Sequence, residues 1–186
     1  MFRHGETEFN RDKKFTGHLD IKLTPKGIEQ SKFIAEKLRD KEFQVAYHSR
    51  LSRSKDTLLI VVKEYHPNVE IIEDNRIIER SYGDFQGKTH KWCIETYGKE
   101  QFDIWHRSYD VPPPNGESIR IVEKRVLDFI EDLLKKMKKE RVNVAIAAHG
   151  NSMRPFRRYF ENFSIKEMMK LENPYDDYFE YSVSIE

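Results

Sequence analysis

A seven-residue run, Val142-Asn143-Val144-Ala145-Ile146-Ala147-Ala148, leaves few folds open to this chain. It is rich in β-branched and small apolar residues and shows no polar alternation, so as a strand it must be covered on both faces. Strands of that kind belong to sheets whose crossover helices do the covering. The rest of the chain agrees. Thr24-Pro25 reads as a helix cap with proline at the first helical position, and Ile28, Ser31, Ala35 and Leu38 then recur at helical spacing up to Asp40. Phe43 to His48 reads as a strand, Leu51, Ser54, Leu58, Val61, Val62 and Tyr65 as a second helical stripe, and Val69 to Ile72 as another strand after Pro67. Alternating helix and strand signals predict an α/β sheet.

From Asp74 to Glu117 the periodicity loosens into aromatic and Gly/Pro-containing sequence, with one short helix expected near Lys91 to Tyr97. So many aromatics argue for a functional loop region and against a linker. Ile119, Val122, Val126, Phe129, Ile130, Leu133 and Met137 then mark a long amphipathic helix. Its basic end, Lys135 to Arg141, resembles a nucleic-acid patch, but cations at a helix C-terminus complement the macrodipole, and a solvated end is expected. After the apolar run, Ser152 is expected to cap the next helix, with Pro155 in its first turn. Phe179, Tyr181, Val183 and Ile185 alternate with polar residues, which predicts a closing half-solvated strand.

At 186 residues the chain is expected to form one domain, 1–186, with residues 74–117 covering the site. Its 33 basic against 32 acidic residues leave a net charge of +1, too little to draw in nucleic acid or an acidic membrane, so any phosphate recognition must be local. Cys93, the single cysteine, excludes an intramolecular disulfide and a cysteine-based zinc cluster. The start, Met-Phe-Arg-His-Gly-Glu, is unlike a signal peptide, and a cytoplasmic location is expected. With only Met1 and Phe2 before Arg3, a short and incomplete first strand is expected.

Two histidines, His4 and His149, stand directly before glycine at expected strand-to-loop junctions, the place where ligands bind in open α/β sheets. Arg3 and Arg53 add guanidinium forks suited to phosphate oxygens, and the amides opening the helix near Ser49 are expected to face an anion. Taken singly, each histidine reads more readily as a structural or surface residue, and each arginine as half of a surface ion pair, than as part of a site. No metal-binding spacing occurs, and none is expected. Gly83 to Thr89 imitates a nucleotide-binding loop but has three residues between its glycines, one too few.

Taken together, Arg3-His4-Gly5-Glu6-Thr7, Phe15-Thr16-Gly17, Leu23-Thr24-Pro25-Lys26-Gly27, Ser49 with Arg53, Glu79 to Gly83, Ser108 to Pro114, Gly116-Glu117-Ser118 and His149-Gly150-Asn151-Ser152 resemble, in order, the histidine phosphatase superfamily. The Tyr-Asp-Val-Pro-Pro-Pro stretch is similar to its cofactor-dependent phosphoglycerate mutase branch. The resemblance implies a three-layer α/β/α fold with a mostly parallel central sheet, and 2,3-bisphosphoglycerate as phosphoryl donor. It makes His4 the nucleophile, has Arg3, Arg53 and His149 hold the phosphoryl group, and gives Glu79 the proton transfer. Asn10, Thr16, Gly17, Arg80, Tyr82 and Asn151 match substrate-holding positions. His90, His106 and Arg107 stand where the branch has a lysine and paired arginines, which weakens permanent positive charge there unless the charge of nearby phosphates favours the protonated form of the histidines. The segment usual between the triple proline and Glu117 is short. These departures keep a phosphatase of small phosphorylated metabolites as the alternative. The partner is a small phosphorylated metabolite, with a homo-oligomer as a further expectation.

Overall fold

In a computed structural model that describes residues 1–184, the elements run β1 (Phe2–Arg3), α1 (Glu8–Arg11), α2 (Pro25–Leu38), β2 (Val45–His48), α3 (Ser52–Lys63) and β3 (Glu70–Glu73). They continue as α4 (His90–Tyr97), α5 (Lys99–Arg107), α6 (Ile119–Glu140), β4 (Val144–Ala148), α7 (Gly150–Glu161) and α8 (Ile165–Met168). The four strands form one parallel sheet in the order β1-β4-β2-β3. The apolar run thus supplies β4, flanked by β1 and β2.

Pleating explains the layers, because alternate residues of a strand face opposite sides. Val45 and Tyr47 of β2 and Ile146 and Ala148 of β4 pack with Val122, Val126, Phe129, Ile130 and Leu133 of α6 and with Met153 and Phe156 of α7. On the other side Phe2, Ala46, Ala145 and Ala147 meet Ile34 and Leu38 of α2 and Leu58, Val61 and Val62 of α3. The result is the expected three-layer α/β/α sandwich. A third cluster joins Phe15, from the loop after α1, to Phe85, Cys93 and Phe102 of the 74–117 segment.

Local chemistry sets most boundaries. Thr24 Oγ1 accepts from the Gly27 amide at 3.0 Å and Pro25 occupies the first turn of α2. Ser118 caps α6, and Arg141 ends it in a left-handed conformation. The basic end of α6 is laced by ion pairs within the helix, Lys135 with Glu131 and Lys136 with Glu140.

Several expectations need correction. Ile28 is exposed, and Ile34 takes its place on the buried face of α2. The covering region holds two helices, α4 and α5, divided by Gly98 at φ +82°. Helix α5 escapes a sequence reading because Phe102 is its one buried residue. His149, still extended at φ −126° and ψ 161°, is the residue before α7, so Ser152 lies inside the helix, where its Oγ accepts from the His149 amide. Pro155 is also interior, and its ring removes the amide that would have bonded the Asn151 carbonyl.

The closing segment is extended but forms no ladder. Tyr178 makes an isolated antiparallel bridge to Phe2, and Met1 and Phe179 exchange amine-to-carbonyl and amide-to-carbonyl bonds at 2.8 Å. Burial still alternates, with Phe179, Tyr181 and Val183 half-buried and Glu180, Ser182 and Ser184 exposed. The two-residue β1 offers no longer edge to pair with. Ile185 and Glu186, part of that expected strand, lie outside the described residues.

The loop after β1 is clamped to α2 backbone against backbone. A Cβ on Gly27 would lie 2.1 Å from the Glu6 carbonyl oxygen, and one on Gly5 would lie 2.2 Å from that of Gly27. Gly27→Ala is therefore expected to destabilise the protein by about 1–3 kcal/mol, the range for overpacking, read as a lowered thermal midpoint. An unchanged midpoint would show that this contact yields freely.

Candidate active site

The carboxyl ends of β1 and β4 meet because Arg3 pairs with Ala148 and the His4 amide donates to the Ala148 carbonyl at 3.0 Å. One residue farther along, the rings of His4 and His149 stand 5.0 Å apart between centroids. Both are essentially buried, at 2% and 0% exposure. Backbone geometry selects the tautomer of His4. Its Nδ1 lies 2.7 Å from the Gly5 carbonyl, which can only accept, so Nδ1 carries the proton and Nε2 keeps its lone pair. Burial, and then the charges of Arg53 and Arg3, push the His4 pKa well below its ordinary value. The ring is a neutral nucleophile. His149 Nε2 is hydrogen-bonded with Ser49 Oγ at 2.7 Å, at the end of β2, and its Nδ1 has no partner. Burial, Arg53 and His4 hold its pKa down as well.

Arg53 enters from the first turn of α3 and is 1% exposed. Its two terminal nitrogens donate to the Leu19 and Gly17 carbonyls at 2.8 and 2.7 Å, while Nε has no partner. Burial pulls its pKa down to about 10, which leaves it charged at neutral pH. Arg3 donates to the Asn173 carbonyl, stacks on Tyr175 and also has an unpartnered buried Nε. The amides opening α3 do not face a ligand. Those of Ser49, Arg50 and Ser52 are taken by Ser54, Asn75 and Asp20 side chains.

Glu79 is 8% exposed and reaches the cleft from the loop before the Arg80 to Gly83 segment. Its Oε1 accepts from the amides of Arg80 at 2.7 Å and Asn151 at 3.2 Å, which orients the carboxylate. Asn151 Nδ2 donates to Tyr82 Oη at 3.1 Å and so ties α7 to the covering region. Arg3, His4, Arg53, Glu79, Asn10, Thr16, Gly17, Tyr82, His90, His106 and Asn151 all line this single cleft.

Two expected substrate-binding residues stand elsewhere. Arg80 is fully buried, donating to the Glu117 and Trp105 carbonyls with its guanidinium under the Tyr82 ring, so it supports the wall from behind. Arg107 is exposed at the end of α5 and outside the lining. His90 and His106, 5.2 Å apart, pack with Phe15 and Phe102. Burial, together with Lys13 and Arg107, lowers the His90 pKa. Burial, His90 and Arg107 bring that of His106 to about 3. This wall is neutral in the free protein.

Sequence reasoning missed Lys13, Lys14, Arg154, Glu172 and Tyr175, all in the lining. Arg154 had a signal, since it stands one helical turn after Gly150 and shares its face. The stretch from Leu171 to Tyr175 had none, because its place depends on tertiary contacts. With these residues the cleft carries five cationic side chains against two carboxylates, a local excess that the near-neutral total conceals. Among the described residues no group of His, Cys, Asp and Glu is placed to hold a metal ion.

A neutral histidine with Nε2 free, set among unpartnered guanidinium nitrogens beyond the ends of parallel strands, defines a site for phosphoryl transfer through the protein. The chain belongs to the histidine phosphatase superfamily (branch 1), whose family model matches residues 1–182. A 2,3-bisphosphoglycerate-dependent phosphoglycerate mutase of Parvibaculum lavamentivorans is 40% identical over 176 residues, spanning 92% of this chain and 83% of that protein. A phosphoglycerate mutase of Schizosaccharomyces pombe is 38% identical over 175 residues, with 92% and 83% covered. Among solved structures, a mycobacterial glucosyl-3-phosphoglycerate phosphatase matches with a TM-score of 0.81 at 24% identity, over 93% of this chain and 84% of that one. At that identity the likeness is one of fold.

The buried histidines also shape stability. Unfolding returns His4, His149 and His106 to the ordinary value of 6.5, so the unfolded chain gains protons that the folded chain refuses. Their contribution is full above pH 6.5 and is lost as pH falls below it, at up to about 1.4 kcal/mol per pH unit for each. Thermal melts are expected to show this slope, and His106→Phe to reduce it between pH about 6.5 and about 5. An identical slope in the variant would place the His106 proton equilibrium elsewhere.

Proposed function

We propose that the chain is a 2,3-bisphosphoglycerate-dependent phosphoglycerate mutase that interconverts 3-phosphoglycerate and 2-phosphoglycerate through a phosphohistidine at His4. The names of relatives at 40% and 38% identity support the reading. The observation that carries the phosphohistidine step is the 2.7 Å contact of His4 Nδ1 with the Gly5 carbonyl, which leaves Nε2 free. The cleft also suits a ligand with two phosphates and a carboxylate. Arg3 Nε, Arg53 Nε and Thr16 Oγ1 are buried without partners, which is costly unless an anion completes them. When bound, 2,3-bisphosphoglycerate supplies the phosphoryl group that loads His4.

In the first step His4 Nε2 forms a bond to phosphorus as the bond to the departing oxygen breaks, and Glu79 gives that oxygen a proton. In the reverse sense Glu79 takes the proton of an acceptor hydroxyl, whose oxygen attacks phosphorus while the bond to Nε2 breaks. Arg3, Arg53 and His149 hold the spread charge of the transferring group. Asn10, Thr16, Gly17, Tyr82 and Asn151, with Lys13 and Arg154, position the remainder of the substrate. His90 and His106 form its neutral far wall. No helix among the described residues is long and apolar enough to cross a membrane. We assign the enzyme to the cytoplasm.

The neutral histidine wall is what favours a second reading, a phosphatase, since a weakly held intermediate leaves before its phosphoryl group returns. An enolase-coupled assay with 3-phosphoglycerate, run beside phosphate release, separates the two. Isomerisation stimulated by trace 2,3-bisphosphoglycerate, insensitive to EDTA and with little phosphate released, is expected. Dominant phosphate release would instead establish the phosphatase. Glu79→Gln keeps an oxygen for the Arg80 and Asn151 amides but cannot move a proton, so kcat should fall about 10²- to 10⁴-fold with the fold intact.

A further inference from the structure

Residues Leu171 to Tyr175 form a strap that lines the phosphoryl site, held in part by groups that also build that site. Asn173, 6% exposed, accepts at its carbonyl from Arg3 at 3.0 Å. Its Nδ2 donates to the Gly150 carbonyl at 2.9 Å, and its Oδ1 accepts from Arg157 at 3.2 Å. Arg154 Nε donates to the Leu171 carbonyl at 3.1 Å. The strap delivers Tyr175. Its ring lies 4.0 Å from the Arg3 guanidinium carbon and stands edge-on to His4, with 6.4 Å between ring centroids at 64°. It stacks on the cation and stands beside the nucleophile's ring.

Two consequences follow from that position. A guanidinium stacked on an aromatic face is fixed in its plane, and Arg3 is already tied at one terminal nitrogen to Asn173. Its buried Nε is left with no partner in the protein, a pre-organised donor for a phosphoryl oxygen. The same ring also occupies space beside His4 that water would otherwise fill. In hydrolysis a water oxygen bonds to phosphorus, the bond to Nε2 breaks, and the water proton passes to Glu79. The ring beside His4 narrows the space through which that water approaches phosphorus.

We propose that Tyr175 is a positioning residue for Arg3 and a barrier to water at phosphorylated His4, so that it sets the partition between phosphoryl return and hydrolysis. The inference rests on the phosphohistidine reading above. It assigns retention of the phosphoryl group to the aromatic ring and gives the hydroxyl no part. Burial raises the pKa of Tyr175, which keeps it uncharged beside the anion.

Wild-type protein, Tyr175→Phe and Tyr175→Leu are compared in two measurements, with thermal melts checking that each folds. One is the decay of label from protein loaded with labelled 2,3-bisphosphoglycerate. The other is calorimetric binding of inorganic phosphate. Tyr175→Phe should match wild type in both, because the ring remains. Tyr175→Leu should lose label to water about ten-fold faster or more, and bind phosphate about 2- to 30-fold more weakly, as expected for loss of a cation–π contact. A Leu variant that keeps its label and binds phosphate like wild type would overturn the proposal, as would a Phe variant that behaves like Leu. If wild-type protein takes up no label, the phosphohistidine reading fails and the barrier role with it. The phosphate affinities then still decide whether Tyr175 holds Arg3.

Discussion

The pairing of β1 with β4 is the contact on which the site depends, because the register of Arg3 against Ala148 puts His4 and His149 side by side one residue beyond the sheet. Shifting that register by one residue would turn each side chain to the opposite face. The pairing is short, and much of its definition comes from outside the ladder. Phe2 is fully buried against α2 and α3, Gly5 is pressed on Gly27, and its amide donates to Thr57 at 3.0 Å.

Burial then makes the chemistry. Placing His4 out of water beside Arg3 and Arg53 removes the proton that would block Nε2, and the Gly5 carbonyl decides which nitrogen remains free. The same burial leaves Nε of both arginines, Nδ1 of His149 and Oγ1 of Thr16 without partners. Such groups, without partners in the protein, favour a ligand that completes them. An anion that binds there stabilises the folded protein by mass action. Near-zero net charge does not conflict with anion binding, since the cations are concentrated where the strands end.

Much of this was legible in the sequence, and the reasons are particular. The run at Val142 to Ala148 revealed β4 because burial on both faces leaves no polar alternation, and the stripe from Ile119 to Met137 revealed α6 because one face of a long helix is wholly apolar. His4, Arg3, Arg53, Glu79 and His149 were found through the ordered motifs. Composition alone would have left each a surface residue. What could not be read depends on tertiary contact. Arg80 and Arg53 are alike in sequence terms and each gives two nitrogens to backbone carbonyls, yet Arg53 lines the cleft and Arg80 does not. Helix α5 has a single buried residue to announce it, and Tyr175 sits on a strap whose position is set by Arg3, Arg154 and Arg157.

The central claim is that phosphorus passes through a covalent bond to the free nitrogen of His4. Rapid-quench mixing with labelled 2,3-bisphosphoglycerate, followed by digestion and peptide mapping, tests it most directly. The account predicts label on the peptide containing His4 within a single turnover, stable in alkali and released by acid as a phosphoimidazole should be. Label on another residue, or turnover with none retained at any time, would contradict it.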